Sequence, residues 1–383
     1  MRVCVATDVN LLICNDRWYL PVQVSIIIKR YYDAFGPLVY FGRRRVVDSV
    51  GNDCEDVTEE IESAVTVSSL KEVYSSAYKK KLLCEIGNCD LVIVRCPGMV
   101  SYLAADCARR LKVPYFAESM ACAWDAYWNH SLVGKALAPY MFLKMRDVVK
   151  HADYALYVTS KFLQKRYPCK IESAGLSDVL ISDVGDEVLQ KRLEKLQTMD
   201  MGQITLMTTA AIDVRYKGQE FVIKALPLLN KAGIRVKYVL IGGGDPTYLQ
   251  GVAKACGVEE QVVFVGRKPL SEVLELLDEA DIYVQPSLQE GLPRSVVEAM
   301  SRGCPCVGAR TAGIPELLED RFVVRRKSVK DIAEAISAFC NSPEEERIAV
   351  AQRNFREAQQ FLKPELDARR NAYYQKVIEG IEG

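Results

Sequence analysis

Two glutamates in one stretch of the chain are spaced so that they could hold a ligand from two sides. The stretch reads QPSLQEGLPRSVVEAMSRGCPCVG and places Glu290 before Gly-Leu-Pro and Glu298 inside a predicted helix. At about 1.5 Å of rise per residue, Glu298 lies roughly 7 Å along that helix. The two carboxylates therefore suit hydroxyl groups on opposite sides of a diphosphate, which is the layout of a nucleotide sugar.

The segment between the glutamates predicts a binding site for that diphosphate. A predicted strand, DIYVQPS, ends in a loop, and Pro293 fits the first helical position because its missing N–H loses no hydrogen bond there. The free N–H groups and the positive end of the helix dipole attract an anion. Since Gly291 lets the backbone approach a ligand closely, we expect Gly291, Leu292 and Pro293 to border the diphosphate.

Composition narrows the class of protein. Lys plus Arg equals Asp plus Glu at 50 each, so no overall positive charge indicates a nucleic-acid partner. The 13 cysteines form no CxxC pair, which predicts buried thiols in a reducing compartment. With only two histidines, no metal site is predicted. No run approaches the roughly 18 apolar residues that span a bilayer, so a cytoplasmic protein is expected, at most associated with a membrane surface.

Short apolar strands alternate with helices in both halves of the chain, and this pattern predicts the fold class. It is typical of α/β domains whose parallel sheets are covered on both faces. We expect two Rossmann-like, doubly wound domains facing a central cleft, with ligands beyond the carboxyl ends of the strands. The predicted limits are an N-terminal domain at 1–172, a linker region at 173–202 and a C-terminal domain at 203–350. C-terminal helices at 351–383 are expected to pack back on the N-terminal domain.

The second half of the chain resembles the GT4-type retaining glycosyltransferases, which have the GT-B fold. The resemblance rests on EGLPRSVVEAMSRGCPCVG followed by GIPELLED, together with RYKGQEFVIKAL, VLIGGGD and VVFVGRKPLSEVLELLDEADIYVQPS. The first half is similar to family members that act in bacterial surface-polysaccharide assembly, mainly through DLVIVRCPG and ADYALYVTSKFLQKRYP. The resemblance implies that the N-terminal domain binds an acceptor and the C-terminal domain binds a nucleotide-sugar donor.

The resemblance also implies roles for single residues. Glu290 would contact the donor sugar and Glu298 the ribose. Lys217, in the Lys-Gly pair, would meet the diphosphate, and Arg267 would flank the base. The glycines centred on Gly243 either contact the donor or form a turn at a strand end.

The chain departs from the family pattern in two places. Ala211 stands where the family usually has an arginine, and Arg215 is the nearest cation that could replace it. The first half has neither a Gly-rich first loop nor the family's active-site histidine. Glu118 is the ionisable group nearest to that histidine position, while His130 lies further on. Arg95 and Glu118 are therefore either ligand-binding groups or structural ones, and the same holds for Asp125.

These observations predict a retaining, metal-independent hexosyltransferase that needs no cofactor and uses a nucleotide-diphosphate sugar, with UDP the expected nucleotide. Lys217, Arg215 and the helix N-terminus would neutralise the leaving diphosphate, and Glu290 completes the predicted catalytic set. The expected acceptor is a lipid-linked or growing glycan in bacterial polysaccharide biosynthesis. The alternatives are a nucleotide-sugar epimerase of the same architecture and an inactive nucleotide-sugar-binding subunit. A dehydrogenase is disfavoured because IGGGD does not open a GxGxxG helix.

One further segment leaves two interpretations open. KALAPYMFLKMRDVVK is both apolar and basic, so it either lies on anionic lipid or packs against the domain with a solvated outer face.

Overall fold

The computed structural model describes residues 1–51, 53–171, 173–179, 181, 184–199 and 202–383. Contacts between residues divide these into two compact units. Unit 1 is Met1–Leu176 with Ala368–Gly383, and unit 2 is Ser177–Asp367.

Unit 1 is built on a nine-stranded sheet whose described pairings are parallel except for those of the second strand. The strands are β1 (Val3–Cys14), β2 (Arg17–Pro21), β3 (Leu38–Val46), β4 (Cys54–Asp56), β5 (Ile61–Val67), β6 (Leu91–Cys96), β7 (Tyr115–Ser119), β8 (Tyr154–Tyr157) and β9 (Ser173–Gly175). They follow the order β4-β2-β1-β6-β7-β8-β9, and β3 pairs with β1 and β5 beside this path. Strand β6 is buried along its whole length, as expected of a central parallel strand.

The first strand runs further than the apolar segment RVCVAT suggested, because it turns back into β2. Asn15 and Asp16 both have positive φ, 50° and 58°. Two such residues form the favoured two-residue hairpin turn, since its twist matches that of the flanking strands. Cys14 accordingly pairs with Arg17. This hairpin occupies the region where the resembled family has a Gly-rich loop.

Helices cover the unit 1 sheet, and the C-terminal segment completes its core. The helices are α1 (Val22–Phe35), α2 (Ser76–Ile86), α3 (Met99–Leu111), α4 (Ala123–Trp128), α5 (Leu132–Lys150) and α6 (Phe162–Arg166). The Tyr373 hydroxyl donates to the Ala155 carbonyl at 2.9 Å and accepts from the Ala155 N–H at 3.1 Å. The Tyr374 ring packs against Phe35 and Phe116. The C-terminal segment is therefore an integral part of unit 1.

Unit 2 is built on a six-stranded sheet in which every described pairing is parallel. The strands are β10 (Ile204–Thr209), β11 (Val236–Ile241), β12 (Val262–Gly266), β13 (Ile282–Gln285), β14 (Cys306–Ala309) and β15 (Val323–Val324). The helices are α7 (Asp186–Gln197), α8 (Gln219–Lys231), α9 (Thr247–Cys256), α10 (Leu270–Glu279), α11 (Arg294–Ser301), α12 (Ile314–Leu317), α13 (Val329–Cys340), α14 (Glu344–Gln359) and α15 (Lys363–Glu382). From Ala368 onward, α15 belongs to unit 1. The strand order β12-β11-β10-β13-β14-β15 reverses between β10 and β13. In such sheets ligands bind at the carboxyl ends of the strands beside the reversal.

The region 173–202, predicted as a linker, contains regular structure. It holds β9 of unit 1 and α7 of unit 2, while positions 180, 182, 183, 200 and 201 lie outside the described residues. The buried Arg192 of α7 donates to the Leu277 carbonyl at 2.7 Å and to the Arg302 carbonyl at 3.1 Å. These bonds fix α7 to the rest of unit 2. The domain limits drawn from the sequence remain predictions.

Candidate functional site

The candidate site lies at the carboxyl ends of β10 and β13, where the strand order of unit 2 reverses. Strand β10 leads through residues 210–218 into α8, and β13 leads through residues 286–293 into α11. The N–H of Leu288 donates to the Tyr216 carbonyl at 2.7 Å. This bond joins the two loops, so residues far apart in the sequence form one site.

Gly218 allows the two loops to lie this close together. Its φ is +76°, a conformation that side-chain-bearing residues rarely adopt. A Cβ at this position would also collide with the carbonyl oxygen of Pro286. The glycine of the Lys-Gly pair thus has a packing reason, and it places Lys217 beside the second loop.

Lys217 and Glu290 form an ion pair at the centre of the site. The Lys217 Nζ lies 2.9 Å from Glu290 Oε1, and the two side chains are 22% and 11% exposed. An ammonium group has three donors, so Lys217 can contact phosphate oxygens while it stays bonded to Glu290. Within the described residues, Oε2 of Glu290 accepts no hydrogen bond, and it remains available to a sugar hydroxyl.

Gln285 orients Glu290, and sequence analysis did not identify it. Its Nε2 donates to Glu290 Oε1 at 3.0 Å and to Ser287 Oγ at 2.8 Å. Its Oε1 accepts from the Tyr283 hydroxyl at 2.6 Å and from Ser295 Oγ at 3.1 Å. The signal in the sequence was a polar amide at the end of the otherwise apolar strand IYVQ. The structure shows that this amide is buried.

The helix after the loop begins one residue later than predicted. Pro293 has extended backbone angles, φ −74° and ψ 116°, and the first helical residue is Arg294. Pro293 is therefore the N-cap, because its carbonyl already accepts from the Val297 N–H at 3.4 Å. Proline has no side-chain acceptor, so it leaves the first-turn N–H groups to a ligand. The adjacent Gly291 and Leu292 are half-buried, and the Gly291 carbonyl accepts from the Gly313 N–H at 2.9 Å.

Glu298 lies on the same helix with its carboxylate largely buried. Burial raises the pKa of Glu298 above its ordinary value of 4.5, and the charge of Arg294 partly opposes this. Among the described residues, none donates a hydrogen bond to this carboxylate. A buried carboxylate without donors is costly to ionise, and ligand hydroxyl groups would supply the missing hydrogen bonds.

The second predicted cation, Arg215, points to a different neighbour. Its guanidinium carbon lies 3.0 Å from the centre of the Tyr248 ring. The Tyr248 hydroxyl donates to Glu220 at 2.8 Å. Burial raises the pKa of Glu220, but hydrogen bonds from Lys224 and Tyr248 and, to a smaller extent, the charge of Arg215 bring it below its ordinary value. In this structure Arg215 lies on the Tyr248 ring instead of contacting the ion pair between Lys217 and Glu290.

The predicted base-side residues lie together at the ends of β11 and β12. A Cβ on Gly243 would lie 3.8 Å from the Arg267 Cβ. The Gly243 carbonyl accepts from the Ile212 N–H at 3.0 Å, and a Cβ on Gly242 would collide with the Ala210 carbonyl. The glycines therefore have a packing role against the loop after β10, and contact with a donor stays a prediction.

In unit 1 the two ionisable candidates Arg95 and Glu118 form a buried ion pair. Arg95 Nε lies 2.9 Å from Glu118 Oε2, with side chains 3% and 0% exposed. The Tyr31 hydroxyl also donates to Glu118. Asp125 lies buried in α4. Since Glu118 is fully enclosed, its position favours the structural interpretation, in which it fixes Arg95.

The described residues contain neither a membrane-spanning helix nor a cluster of metal-ligating side chains. No described helix combines the length and the apolar character needed to cross a membrane. Nor do three His, Cys, Asp or Glu side chains in the described ranges come close enough together to hold a metal ion.

Sequence comparison places the candidate site inside a known domain. Residues 197–355 match the family model for glycosyl transferases group 1. Protein CapJ of Staphylococcus aureus is 29% identical over 331 residues, 84% of this chain and 82% of CapJ. The amylovoran biosynthesis glycosyltransferase AmsK of Erwinia amylovora is 41% identical over 110 residues, 27% of each chain. The N,N'-diacetylbacillosaminyl-diphospho-undecaprenol alpha-1,3-N-acetylgalactosaminyltransferase of Campylobacter jejuni is 28% identical over 57% of each chain.

Solved structures share the fold over the whole chain. Sucrose-phosphate synthase from Thermosynechococcus elongatus has a TM-score of 0.66 at 13% identity, covering 99% of this chain and 100% of that one. Anabaena HepE in complex with UDP-glucose has a TM-score of 0.64 at 14% identity, with the same coverage. WaaG, a glycosyltransferase of lipopolysaccharide biosynthesis, has a TM-score of 0.61 at 16% identity, covering 97% and 98%. These likenesses confirm the predicted GT-B fold class of two Rossmann-like α/β domains.

Proposed function

We propose, from the premise that residues 197–355 form a glycosyltransferase group 1 domain, that this chain moves a sugar from a nucleotide-diphosphate sugar to a lipid-linked or growing glycan in bacterial polysaccharide biosynthesis. One observation carries the proposal. Lys217 is paired with Glu290 at 2.9 Å next to the N-terminus of α11, and that helix also holds the carboxylate of Glu298. Cation, helix N-terminus and two carboxylates match the parts of such a donor.

Each part of the donor has a proposed partner. The diphosphate lies at the N-terminus of α11, bordered by Gly291, Leu292 and Pro293, and contacts Lys217. The ribose hydroxyls donate to Glu298, which supplies the acceptor that a hydroxyl needs in a buried site. The sugar hydroxyls donate to Oε2 of Glu290. Arg267 and Gly243 flank the base.

The reaction is proposed to be retaining and independent of a metal ion. The acceptor oxygen bonds to the anomeric carbon on the face from which the diphosphate leaves, and the acceptor proton passes to a leaving phosphate oxygen. Lys217 and the helix N-terminus stabilise the charge that develops on that phosphate, which is the largest effect such a site can supply. Arg215 contributes to this stabilisation only if its side chain leaves the Tyr248 ring.

The relatives support the donor and acceptor classes. HepE, which shares the fold, binds UDP-glucose, so a UDP-sugar is the donor we propose. The name of the Campylobacter relative states a diphospho-undecaprenol acceptor, and AmsK is named for polysaccharide biosynthesis. A lipid-linked acceptor would place the reaction at the cytoplasmic face of a membrane.

The proposal is tested with the purified chain and a panel of UDP- and GDP-sugars. We expect one donor to raise the melting temperature, because a ligand that binds the native state stabilises it. The same donor should be hydrolysed slowly, with free nucleotide diphosphate released at an unchanged rate in EDTA. If no donor binds, the proposal is wrong. Binding without hydrolysis would indicate the inactive subunit, and loss of activity in EDTA with recovery in Mg²⁺ would contradict the metal-independent mechanism.

Glu298→Gln should weaken binding of the nucleotide diphosphate by about 1–3 kcal/mol, the range for a hydrogen bond to a charged group. Ribose hydroxyls favour the ionised carboxylate, so its pKa should fall on binding. Affinity of the native protein is then full above the raised pKa of free Glu298 and decreases as the pH falls through it. Calorimetry across this pH range should show that Glu298→Gln lacks the decrease. An unchanged affinity and pH profile in the variant would remove Glu298 from the site.

Peripheral contact with anionic lipid is the second partner we propose, through the outer face of α5. Leu132, Val133, Tyr140 and Leu143 on this face are 82%, 70%, 56% and 62% exposed. The opposite face of α5 is buried against unit 1, so both interpretations of the segment can hold at once. The basic residues Lys135, Arg146 and Lys150 are exposed along the same helix. An apolar face beside basic side chains suits a helix lying in the surface of an anionic membrane.

Leu132→Ser/Leu143→Ser should reduce binding to phosphatidylglycerol vesicles at least tenfold, because each buried leucine contributes about 1.5–3 kcal/mol. Sedimentation with vesicles measures this, with phosphatidylcholine vesicles as the neutral comparison. The matched control is Leu228→Ser, the same substitution at a leucine of α8 that is 40% exposed. If vesicle binding persists in the double variant while its oligomeric state changes, the face contacts another copy of the chain rather than lipid.

A further inference from the structure

Unit 1 has a pocket of its own at the carboxyl end of β6, beside the part of β1 that extends past the end of β6. Its volume is about 540 Å³, and its polar lining includes Asp8, Asn10, Arg43 and Arg95. Carboxyl ends of parallel strands are the usual place for a ligand in an α/β sheet. The question is which chemistry these side chains favour.

Asp8 is already committed to the protein. Its two carboxylate oxygens accept from the N–H groups of Met99 and Val100, each at 2.7 Å. Asp8 therefore caps the N-terminus of α3, where a free anion would otherwise be attracted. Any anion in this pocket must be bound by side chains, not by the end of this helix.

Arg43 is held in place by one nitrogen and presents the others. Its Nε donates to the Asp8 carbonyl at 2.7 Å, and β3 places Arg43 directly opposite Asn10 of β1. Within the described part of the chain, the two terminal nitrogens of Arg43 make no hydrogen bond. A guanidinium fixed through Nε presents two parallel N–H donors, the arrangement that binds a carboxylate or phosphate at two points.

Arg95 lies in the same pocket and is fixed more firmly. Its Nε pairs with the buried Glu118, and its Nη2 lies 2.7 Å from the sulfur of Met120. Arg95 pairs directly with Glu118, whereas Arg43 is bonded to the described residues only through its Nε, so Arg43 is the better placed to contact an anion.

We propose that this pocket binds an oxyanion of the acceptor, a carboxylate or a phosphate, with Arg43 as its two-point contact. The proposal rests on the function proposed above, because it makes unit 1 specific for an acidic acceptor. Apolar residues of the lining, such as Leu12 and Pro97, leave room for the uncharged part of that molecule.

To test this, the full chain is titrated with inorganic phosphate, glucuronate or glucose, and binding is measured by calorimetry. We expect at least one anion to bind and glucose not to bind, and Arg43→Gln should weaken the anion at least tenfold. Arg44→Gln, an exposed arginine on the same strand, is the matched control and should change affinity less than twofold. Binding of glucuronate alone would identify an acidic sugar, and binding of phosphate alone would identify a phosphorylated acceptor.

Further variants separate this pocket from the donor site and from misfolding. Anion binding that survives in Lys217→Met but not in Arg43→Gln assigns it to unit 1, and the reverse result overturns the proposal. Arg43→Lys keeps the charge without the two-point geometry and should recover only part of the affinity. Equal melting temperatures exclude misfolding. UDP-sugar binding is measured on the same samples, so an absent donor site and an absent anion pocket give different results. Binding of none of the anions overturns the proposal.

Discussion

Replacing Lys217 by methionine should lower kcat about 100- to 1000-fold, the range for removing one preorganised group that stabilises transition-state charge. The Lys217 ammonium is held at 2.9 Å from Glu290 and 5.6 Å from the centre of the Tyr216 ring, so it needs little reorganisation to meet a phosphate. Methionine keeps much of the apolar stem and removes the ammonium group, with its charge and its three donors. Steady-state kinetics with the donor found in the hydrolysis panel measures the loss.

Lys231→Met is the matched control, since Lys231 is exposed at the other end of α8. Its kcat should stay within about twofold, as for most surface substitutions. If Lys217→Met raises KM while kcat is unchanged, the lysine stabilises the bound donor and the transition state equally. That result would contradict its role with the leaving group.

Arg215→Ala separates the two cations of the same turn. Because the Arg215 guanidinium lies 3.0 Å from the Tyr248 ring centre, its loss should cost far less turnover than the loss of Lys217. A hundredfold decrease in kcat for Arg215→Ala would show that the side chain leaves Tyr248 during the reaction and takes the place of the arginine absent at Ala211.

Glu290→Gln should lower kcat about 30- to 150-fold, because it replaces a charged hydrogen-bond partner worth about 2–3 kcal/mol. The amide keeps the shape of the carboxylate, but it no longer pairs with Lys217 or accepts strongly from the donor sugar. The exposed Glu275 of α10 provides the control Glu275→Gln, which should be silent. A wild-type kcat in Glu290→Gln would exclude Glu290 from the reacting part of the site.

The double variant Lys217→Met/Glu290→Gln tests whether the two residues act as one unit. Residues in direct contact have non-additive effects, so the double variant should lose much less than the product of the two single losses. Additive losses would mean that the ion pair in the free protein has no part in the reaction.

Local pattern was sufficient for the fold class and for the two glutamates. Short apolar strands alternating with helices require parallel sheets covered on both faces, and the structure has them in both units. Spacing within one loop and one helix placed Glu290 before α11 and Glu298 inside it. The one-residue error at Pro293 is of the size by which helix ends commonly vary.

The direction of each side chain depended on partners that are distant in the sequence. Lys217 and Arg215 lie in one turn, yet Lys217 pairs with Glu290 while Arg215 lies on Tyr248. Nothing within that turn distinguishes the two cations. Gln285 became part of the site only when β13 brought its amide between Ser295 and Glu290.

The sequence by itself determined the α/β class and the spacing of Glu290 and Glu298 about the start of α11, because these depend on periodicity and short spacing. Only the tertiary structure decided which cation joins Glu290, and it revealed Arg43 of unit 1, held through its Nε at the edge of a pocket. The physical reason is that a charged side chain settles where burial and hydrogen-bond partners stabilise it. Those partners come from other strands and loops, whose proximity no local pattern encodes.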